Sequence, residues 1–110
     1  MKIALSDAIL KLAETDARQF VKLFEHGSMS VEYYQPKLVD LQTPHKQDEL
    51  YIIAAGSGEF IKGDEHYYFK TGDLFFVPAG VDHRFRNFTA DFATWVIFYG
   101  PEGGETGDSR

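Results

Sequence analysis

Residues 72–87, with the sequence GDLFFVPAGVDHRFRN, constrain the fold more than any other part of the chain. Residues 74–77 predict a strand that is apolar on both faces. The Pro78-Ala79-Gly80 segment after them predicts a turn, because proline presets φ and glycine is tolerated at the last turn position. In the next predicted strand, His83 and Phe85 alternate with two arginines. The arginines require solvent, so we expect His83 to face the interior of a β-structure.

Composition bounds the class of protein. The chain has 110 residues, room for one domain, and ten Phe and six Tyr supply apolar area for a core. The absence of cysteine excludes disulfides and thiolate ligands and fits a reducing compartment. A net charge of −6 repels phosphate backbones, so no nucleic-acid partner is expected. We expect a cytoplasmic protein without a membrane partner, because no run approaches the roughly 18 apolar residues of a membrane span and MKIALSDAIL is too polar for a signal peptide.

Hydrophobic periodicity predicts one short helix followed by antiparallel strands. The helix is predicted over residues 6–14, with Ser6 as its N-cap. Besides the strands around residues 78–80, alternation and turn residues predict strands at 20–26, 30–35, between Pro36 and Pro44, in a hairpin over 54–69, and at 92–99. The final strand is aromatic on both faces, which predicts a second covering layer or a subunit interface.

A second informative stretch covers residues 43–58, TPHKQDELYIIAAGSG. Thr43, His45, Glu49 and Tyr51 all have odd numbers, so an extended chain places them on one face. A carboxylate in line with a tyrosine is costly if it is buried and unpaired. A divalent cation that Glu49 shares with histidines would remove that cost. The alternative is that Glu49 lies at a solvated rim, bonded to an arginine, and has a purely structural role.

Both stretches resemble the two motifs of the cupin superfamily. The second motif, G(X)5PXG(X)2H(X)3N, is matched at every fixed position, from Gly72 through His83 to Asn87. The first motif, G(X)5HXH(X)3-4E(X)6G, is matched at its second histidine, its glutamate and its last glycine. Thr43 occupies the place of the first histidine and Lys37 that of the leading glycine.

The resemblance implies an all-β fold, a small antiparallel double-stranded β-barrel of the cupin or jelly-roll type with a short N-terminal helix. We therefore predict an N-terminal helix and lead-in over residues 1–19, a cupin barrel over 20–100 and a disordered tail over 101–110. Small cupins are commonly homodimers, so a homodimer is expected.

The resemblance also implies a metal held inside the barrel, with His45, Glu49 and His83 as ligands. Two histidines and one carboxylate match the facial triad of non-haem Fe(II) oxygenases and equally suit Zn²⁺, Mn²⁺ or Ni²⁺. Further residues are predicted around the ion or as walls of an aromatic pocket, with barrel core as the alternative role of the aromatic ones: Thr43, Gln47, Tyr51, Phe85, Trp95 and Tyr33.

These predictions leave three functions open. The first is a metal-dependent dioxygenase, or an isomerase or lyase, acting on a small organic substrate. The second is a non-catalytic module that binds or senses a small ligand and has a structural metal or none. The third is a barrel that has lost its metal and serves only assembly. The missing first histidine weakens the expected metal affinity but does not remove it, because three protein ligands suffice in other sites.

Overall fold

The structure, a computed structural model, describes residues 1–15, 19–40 and 42–106. Within these ranges the chain forms one helix and eight strands. Their bounds are α1 Leu5–Ala13, β1 Phe20–His26, β2 Met29–Tyr34, β3 Asp48–Ala55, β4 Ser57–Lys62, β5 Glu65–Lys70, β6 Leu74–Val77, β7 His83–Arg86 and β8 Ala93–Tyr99. The predicted all-β class with a short N-terminal helix is confirmed.

The strands form two antiparallel sheets that enclose an aromatic core. The larger sheet has the order β1-β2-β8-β3-β6 and the smaller one the order β5-β4-β7. Tyr51 from the larger sheet and Phe60 and Phe85 from the smaller one are fully buried between them. Burying each such ring stabilises the fold by about 1.5–3 kcal/mol. Two opposed antiparallel sheets around one core form the predicted barrel of the jelly-roll type.

Helix α1 covers part of the outer face of the larger sheet. Ala8 of the helix is buried against Val21, Tyr33 and Ala93. Trp95 packs against the same cluster, with its ring centroid 5.6 Å from that of Tyr33. Tyr33 and Trp95, predicted as pocket walls, therefore lie outside the barrel and beneath the helix. Both faces of β8 are apolar, so alternation alone could not assign the inward one.

Two local predictions are corrected. Helix α1 begins one residue earlier than predicted, with Ala4 as its N-cap, because the Asp7 carboxylate accepts a hydrogen bond from the Ala4 amide at 2.9 Å. The described residues between Pro36 and Pro44 form no strand. Leu38 instead adopts a positive φ of 69°, and Asp40 turns inward and is buried.

The start of the predicted tail is structured as far as residue 106. The Gly103 amide donates to the Lys46 carbonyl oxygen at 2.7 Å, and the Glu105 amide donates to Asp48 Oδ2 at 2.9 Å. Residues 107–110 lie outside the described residues. The three-part domain division stays a prediction.

The end of β7 is fixed by the last residue of the second motif. Asn87 adopts a φ of 51°, a left-handed conformation that asparagine tolerates better than most residues. Its amide donates to Glu59 Oε2 at 3.0 Å, and Arg86 and His66 bind the other oxygen of this carboxylate. Hydrogen bonds from Asn87, Arg86 and His66 together lower the pKa of Glu59.

Within the described ranges, no helix combines the length and the apolar character that crossing a bilayer demands.

Candidate metal centre

Three side chains from separate parts of the chain meet between the sheets. Glu49 projects from β3, His83 from β7 and His45 from the loop before β3. His83 Nε2 lies 3.0 Å from Glu49 Oε1, and His45 Nε2 lies 4.0 Å from the same oxygen. One ligand atom from each residue lies within 4.8 Å of the others. The side chains of Glu49 and His83 are 1% and 0% exposed, and that of His45 is 31% exposed, so the cluster opens to solvent on the His45 side.

The turn between β6 and β7 holds the His45 loop in place. The Gly80 amide donates to the His45 carbonyl oxygen at 2.8 Å, and the Ala79 amide donates to Asp48 Oδ1 at 2.9 Å. Gly80 has a φ of 80°, which glycine adopts without strain. The turn of the second motif therefore positions the histidine of the first. It also orients the Asp48 carboxylate toward the turn and the Glu105 amide.

A backbone carbonyl fixes the tautomer of His83. Its Nδ1 lies 2.9 Å from the Val81 carbonyl oxygen, which only accepts, so Nδ1 carries a proton. Nε2 then points to Glu49 and to Tyr51 Oη, 2.9 Å away. Burial lowers the pKa of His83, but hydrogen bonds to Glu49 and Val81 outweigh it, and the net shift is upward.

His45 lies in a different environment and has the opposite shift. Burial lowers its pKa, the negative charge of Glu49 partly opposes this, and His83 lowers it further. The ring packs edge-on against Phe98, with centroids 4.8 Å apart. These contacts favour the neutral imidazole, which is the form that ligates metals.

The unpartnered oxygen and the spacing of the ligand atoms both suit a metal ion at the cluster. Glu49 Oε2 is buried and has no hydrogen-bond partner within the described part of the chain. An unpartnered buried carboxylate oxygen is costly, and a cation removes the cost. Ligands of one ion at about 2.0–2.2 Å from it lie about 3–4 Å apart, close to the separations observed. Small side-chain movements bring all three atoms to that spacing, so the cluster could hold a metal ion.

Gln42 is the neighbour of the cluster that sequence reasoning missed. Its Oε1 accepts from Tyr51 Oη at 3.0 Å and lies 3.2 Å from His45 Nε2, while its Nε2 donates to Asp40 Oδ2 at 3.1 Å. The motif alignment placed Thr43 in the position of the absent histidine, but Thr43 is exposed. The one-residue difference arises because this segment is a loop, where strand alternation does not apply.

The other predicted pocket residues divide into two groups. Tyr51 and Phe85 lie in the barrel core with ring centroids 4.9 Å apart, and Tyr51 also contacts the cluster directly. Gln47 points away, because its amide donates to the carbonyl oxygens of Ser28 and Gly100, each at 2.9 Å. Thr43 and Gln47 are therefore not brought to the cluster.

A cleft of about 280 Å³ lies against the exposed side of the cluster. Its walls combine apolar rings and chains with a small number of polar groups. The lining residues are Phe20, Glu32, Tyr34, Gln42, His45, Val96 and Phe98. A small molecule in this cleft would contact His45 directly.

Comparison with known proteins identifies the family. A family model described as a cupin domain matches residues 30–99. The chain is 33% identical over 85 residues to an uncharacterized protein of Streptomyces coelicolor, a match covering 76% of this chain and 81% of that protein. It is 30% identical over 93 residues to acireductone dioxygenase 4 of Arabidopsis thaliana, a match covering 78% of this chain but only 48% of the plant protein.

Solved structures agree on the fold. A cupin-2 domain-containing protein from Shewanella frigidimarina superposes with a TM-score of 0.68 at 15% identity, over 89% of this chain and 94% of that one. This similarity concerns the fold alone. The family model matches residues 30–99, more than half of the chain, and this match shows that the chain belongs to the cupin family.

Proposed function

We propose that the protein is a metal-dependent cupin enzyme, with dioxygenase as the favoured reaction class, acting on a small organic molecule in the cleft beside His45. The observation that carries the proposal is the buried Glu49 carboxylate, 3.0 Å from His83 and with one oxygen left without a partner among the described residues. Two histidines and one carboxylate are the ligand set of non-haem Fe(II) oxygenases. The relative named acireductone dioxygenase 4 supports this reaction class.

His45, Glu49 and His83 would hold the ion, which when bound supplies a Lewis acid and open positions for substrate and O₂. The chain's own groups prepare the site. The Val81 carbonyl keeps the proton of His83 on Nδ1 and leaves Nε2 free to ligate. Tyr51, Gln42 and His45 form a chain of contacts of 3.0 and 3.2 Å at the border between cluster and cleft. The single hydroxyl proton of Tyr51 is donated to Gln42, so Tyr51 positions the Gln42 amide beside His45.

Metal content tests the proposal directly. We expect protein loaded with Fe²⁺, Mn²⁺, Ni²⁺ or Zn²⁺ and then desalted to retain about one equivalent, and the His83→Ala and Glu49→Gln variants to retain at least tenfold less, because each loses one of three ligands. His66→Ala is the matched control, since His66 also lies 3.0 Å from a glutamate but in an exposed network. Wild-type protein that retains no more metal than His83→Ala would refute the proposal.

Oxygen consumption tests the reaction class. Fe²⁺-loaded protein is expected to consume O₂ with a small diketone or aromatic substrate, and the Glu49→Gln variant is not. A metal-loaded protein that binds such compounds without consuming O₂, and without converting them anaerobically, would favour the second candidate, a non-catalytic ligand-binding cupin. The Gln42 contact with His45, in place of a third histidine, is the observation that favours this candidate.

We also propose that a second copy of the chain covers the apolar outer face at β6. Leu74 and Phe76 are 58% and 41% exposed there, next to Ile52 and Leu50 of β3 in the register of the sheet. Light scattering is expected to give twice the mass of the chain, and Leu74→Lys to reduce it to that of one chain. A monomeric wild type would contradict this. The cytoplasmic location also stays a prediction.

A further inference from the structure

Besides Glu49, a second carboxylate lies on the inner face of the larger sheet, next to apolar residues of the core. In the sheet register Glu32 of β2 pairs with Val96 of β8, and Val96 pairs with Tyr51 of β3. Directly paired residues of antiparallel strands project to the same side. Val96 and Tyr51 belong to the buried core, so Glu32 projects into the barrel and not into the outer solvent.

This carboxylate has no hydrogen bond or ion pair with any residue in the ranges that the structure describes. The nearest cation in the register is Lys22 of β1, which pairs with Glu32 across the sheet. Its ammonium group instead binds Glu25 at 3.0 Å and is half exposed. Glu32 therefore keeps a negative charge beside the cleft that Lys22 compensates only in part.

The cleft places this charge within reach of a molecule bound at the cluster. Glu32 and His45 line the same 280 Å³ space, with the apolar side chains of Phe20 and Phe98 in its walls. That volume is at the small end of ligand pockets, which hold about 300–1,000 Å³. Burial raises the pKa of Glu32, the positive charge of Lys22 opposes the rise, and the negative charge of Glu49 adds to it.

We propose that Glu32 determines the charge specificity of this cleft, admitting small neutral or cationic organic molecules and excluding those that carry a carboxylate or phosphate next to β2. The inference rests on the proposed metal-dependent function. With a divalent cation bound, Glu49 and the buried Asp40, whose carboxylate binds Gln42 in the wall of the cleft, offset its two positive charges, and Glu32 gives the site a net negative charge that repels anions. Without Glu32, the site would be close to neutral and would not distinguish anions from cations.

The experiment uses Co²⁺-loaded protein and three hydroxamates that share a three-methylene chain and end in methyl, ammonium or carboxylate. The hydroxamate head ligates the metal, and the visible absorption of cobalt reports binding. Near a partly exposed carboxylate, one unit of charge changes Kd by about tenfold. In the wild type, the ammonium probe is therefore expected to bind about 100-fold more tightly than the carboxylate probe, with the methyl probe in between.

The Glu32→Gln variant is expected to lose most of this preference, measured as the ratio of the Kd values of the ammonium and carboxylate probes. Glu65→Gln is the matched control, because it changes the net charge of the protein by the same amount at an exposed position. Glu32→Leu, which suits the apolar neighbours, serves if the glutamine variant does not fold.

Two kinds of failure are distinguishable in this experiment. A wild type that takes up no cobalt refutes the proposed function and this inference with it. A wild type that binds cobalt but none of the probes, or binds the ammonium and carboxylate probes equally, refutes the inference alone. An equal preference in the wild type and both Glu32 variants also refutes it, since the selectivity would then arise elsewhere.

Discussion

Asp40 anchors the segment that carries Gln42, and its removal should destabilise the whole barrel. The side chain is buried, and its carboxylate accepts four hydrogen bonds. Tyr34 Oη donates to Oδ1 at 2.6 Å, the Phe85 amide donates to Oδ2 at 2.8 Å, and the backbone and side-chain amides of Gln42 donate at 3.1 Å each. One carboxylate thus joins β2, β7 and the loop before β3.

The magnitude follows from the two buried bonds. A hydrogen bond to a charged group contributes about 1.5–3 kcal/mol, and removing the acceptor leaves Tyr34 Oη and the Phe85 amide buried without a partner. We therefore expect Asp40→Ala to lower the free energy of unfolding by about 3–6 kcal/mol. That is a large part of the roughly 5–15 kcal/mol that a domain of this size has in total.

Urea unfolding of the metal-free protein at pH 7, followed by far-UV circular dichroism, measures this loss. Tyr34→Phe removes one donor and completes a double-mutant cycle with Asp40→Ala. The two changes are expected to be non-additive by about 1–2 kcal/mol, because they share one hydrogen bond. A loss below about 1 kcal/mol for Asp40→Ala, or full additivity, would show that the carboxylate does not anchor the loop.

Three further predictions follow from other parts of the structure. Gln42→His should raise the metal affinity measured by isothermal titration at least tenfold, because Gln42 Oε1 lies 3.2 Å from His45 Nε2. Thr43→His should change the affinity less than threefold, because Thr43 is exposed. The reverse order of the two effects would refute the placement of Gln42 beside the cluster. Gly56→Ala should lower the free energy of unfolding in urea by more than about 3 kcal/mol, because φ is 87° and the added Cβ would lie 2.6–2.9 Å from three atoms of the Thr89–Phe92 turn. Gly72→Ala is the control and should lower it by about 1–2 kcal/mol, because φ is 96° but nothing lies within 4 Å of the added Cβ. Equal losses would contradict the close contact at Gly56. The folded-state pKa of Glu59 is lowered, so the stabilisation that Glu59 contributes is present above its unfolded pKa of about 4.3 and is lost as pH falls through the folded value. Glu59→Gln should therefore reduce the dependence of the unfolding free energy on pH, and only below about pH 4.3. An unchanged slope in the variant would refute this.

How much of the site was predictable depends on which physical rule governs each residue. His83 follows a proline-glycine turn and lies in a regular strand, so turn chemistry and alternation together predicted its inward orientation. Glu49 and Tyr51 lie in β3, where alternation also holds, and both face inward as expected. The hairpins were predictable for the same reason, whereas the two-sheet barrel was implied by the resemblance of the two motifs to those of the cupins.

The rule of alternation does not extend to the loop before β3. His45 reaches the cluster through its backbone bond to Gly80, a contact 35 positions along the chain that no local pattern encodes. Gln42 and Asp40 were missed because the segment between two prolines reads as a strand, and only the tertiary contacts of the buried carboxylate turn it inward. Trp95 was misplaced because both faces of β8 are apolar, one for the barrel and one for α1. Tyr33 was misplaced because β2 carries a tyrosine on each face and its inner face also carries Glu32, so alternation points the wrong way.

The same tertiary contacts determine how well the cluster is organised before an ion arrives. Glu49 is held on both sides, by Val77 of β6 and Phe98 of β8, and His83 is held by Val81. His45 is partly exposed and lies on a loop. Two contacts hold it in place: the Gly80 amide binds its carbonyl oxygen, and the ring of Phe98 packs against its imidazole. Ordering a flexible side chain on binding costs about 0.5–1.5 kcal/mol of binding free energy. Because these contacts already order His45 in the folded protein, metal binding does not have to supply that free energy. A cluster with only three strong ligands gains most from such preorganisation, because it has no fourth ligand to compensate for a poorly placed one.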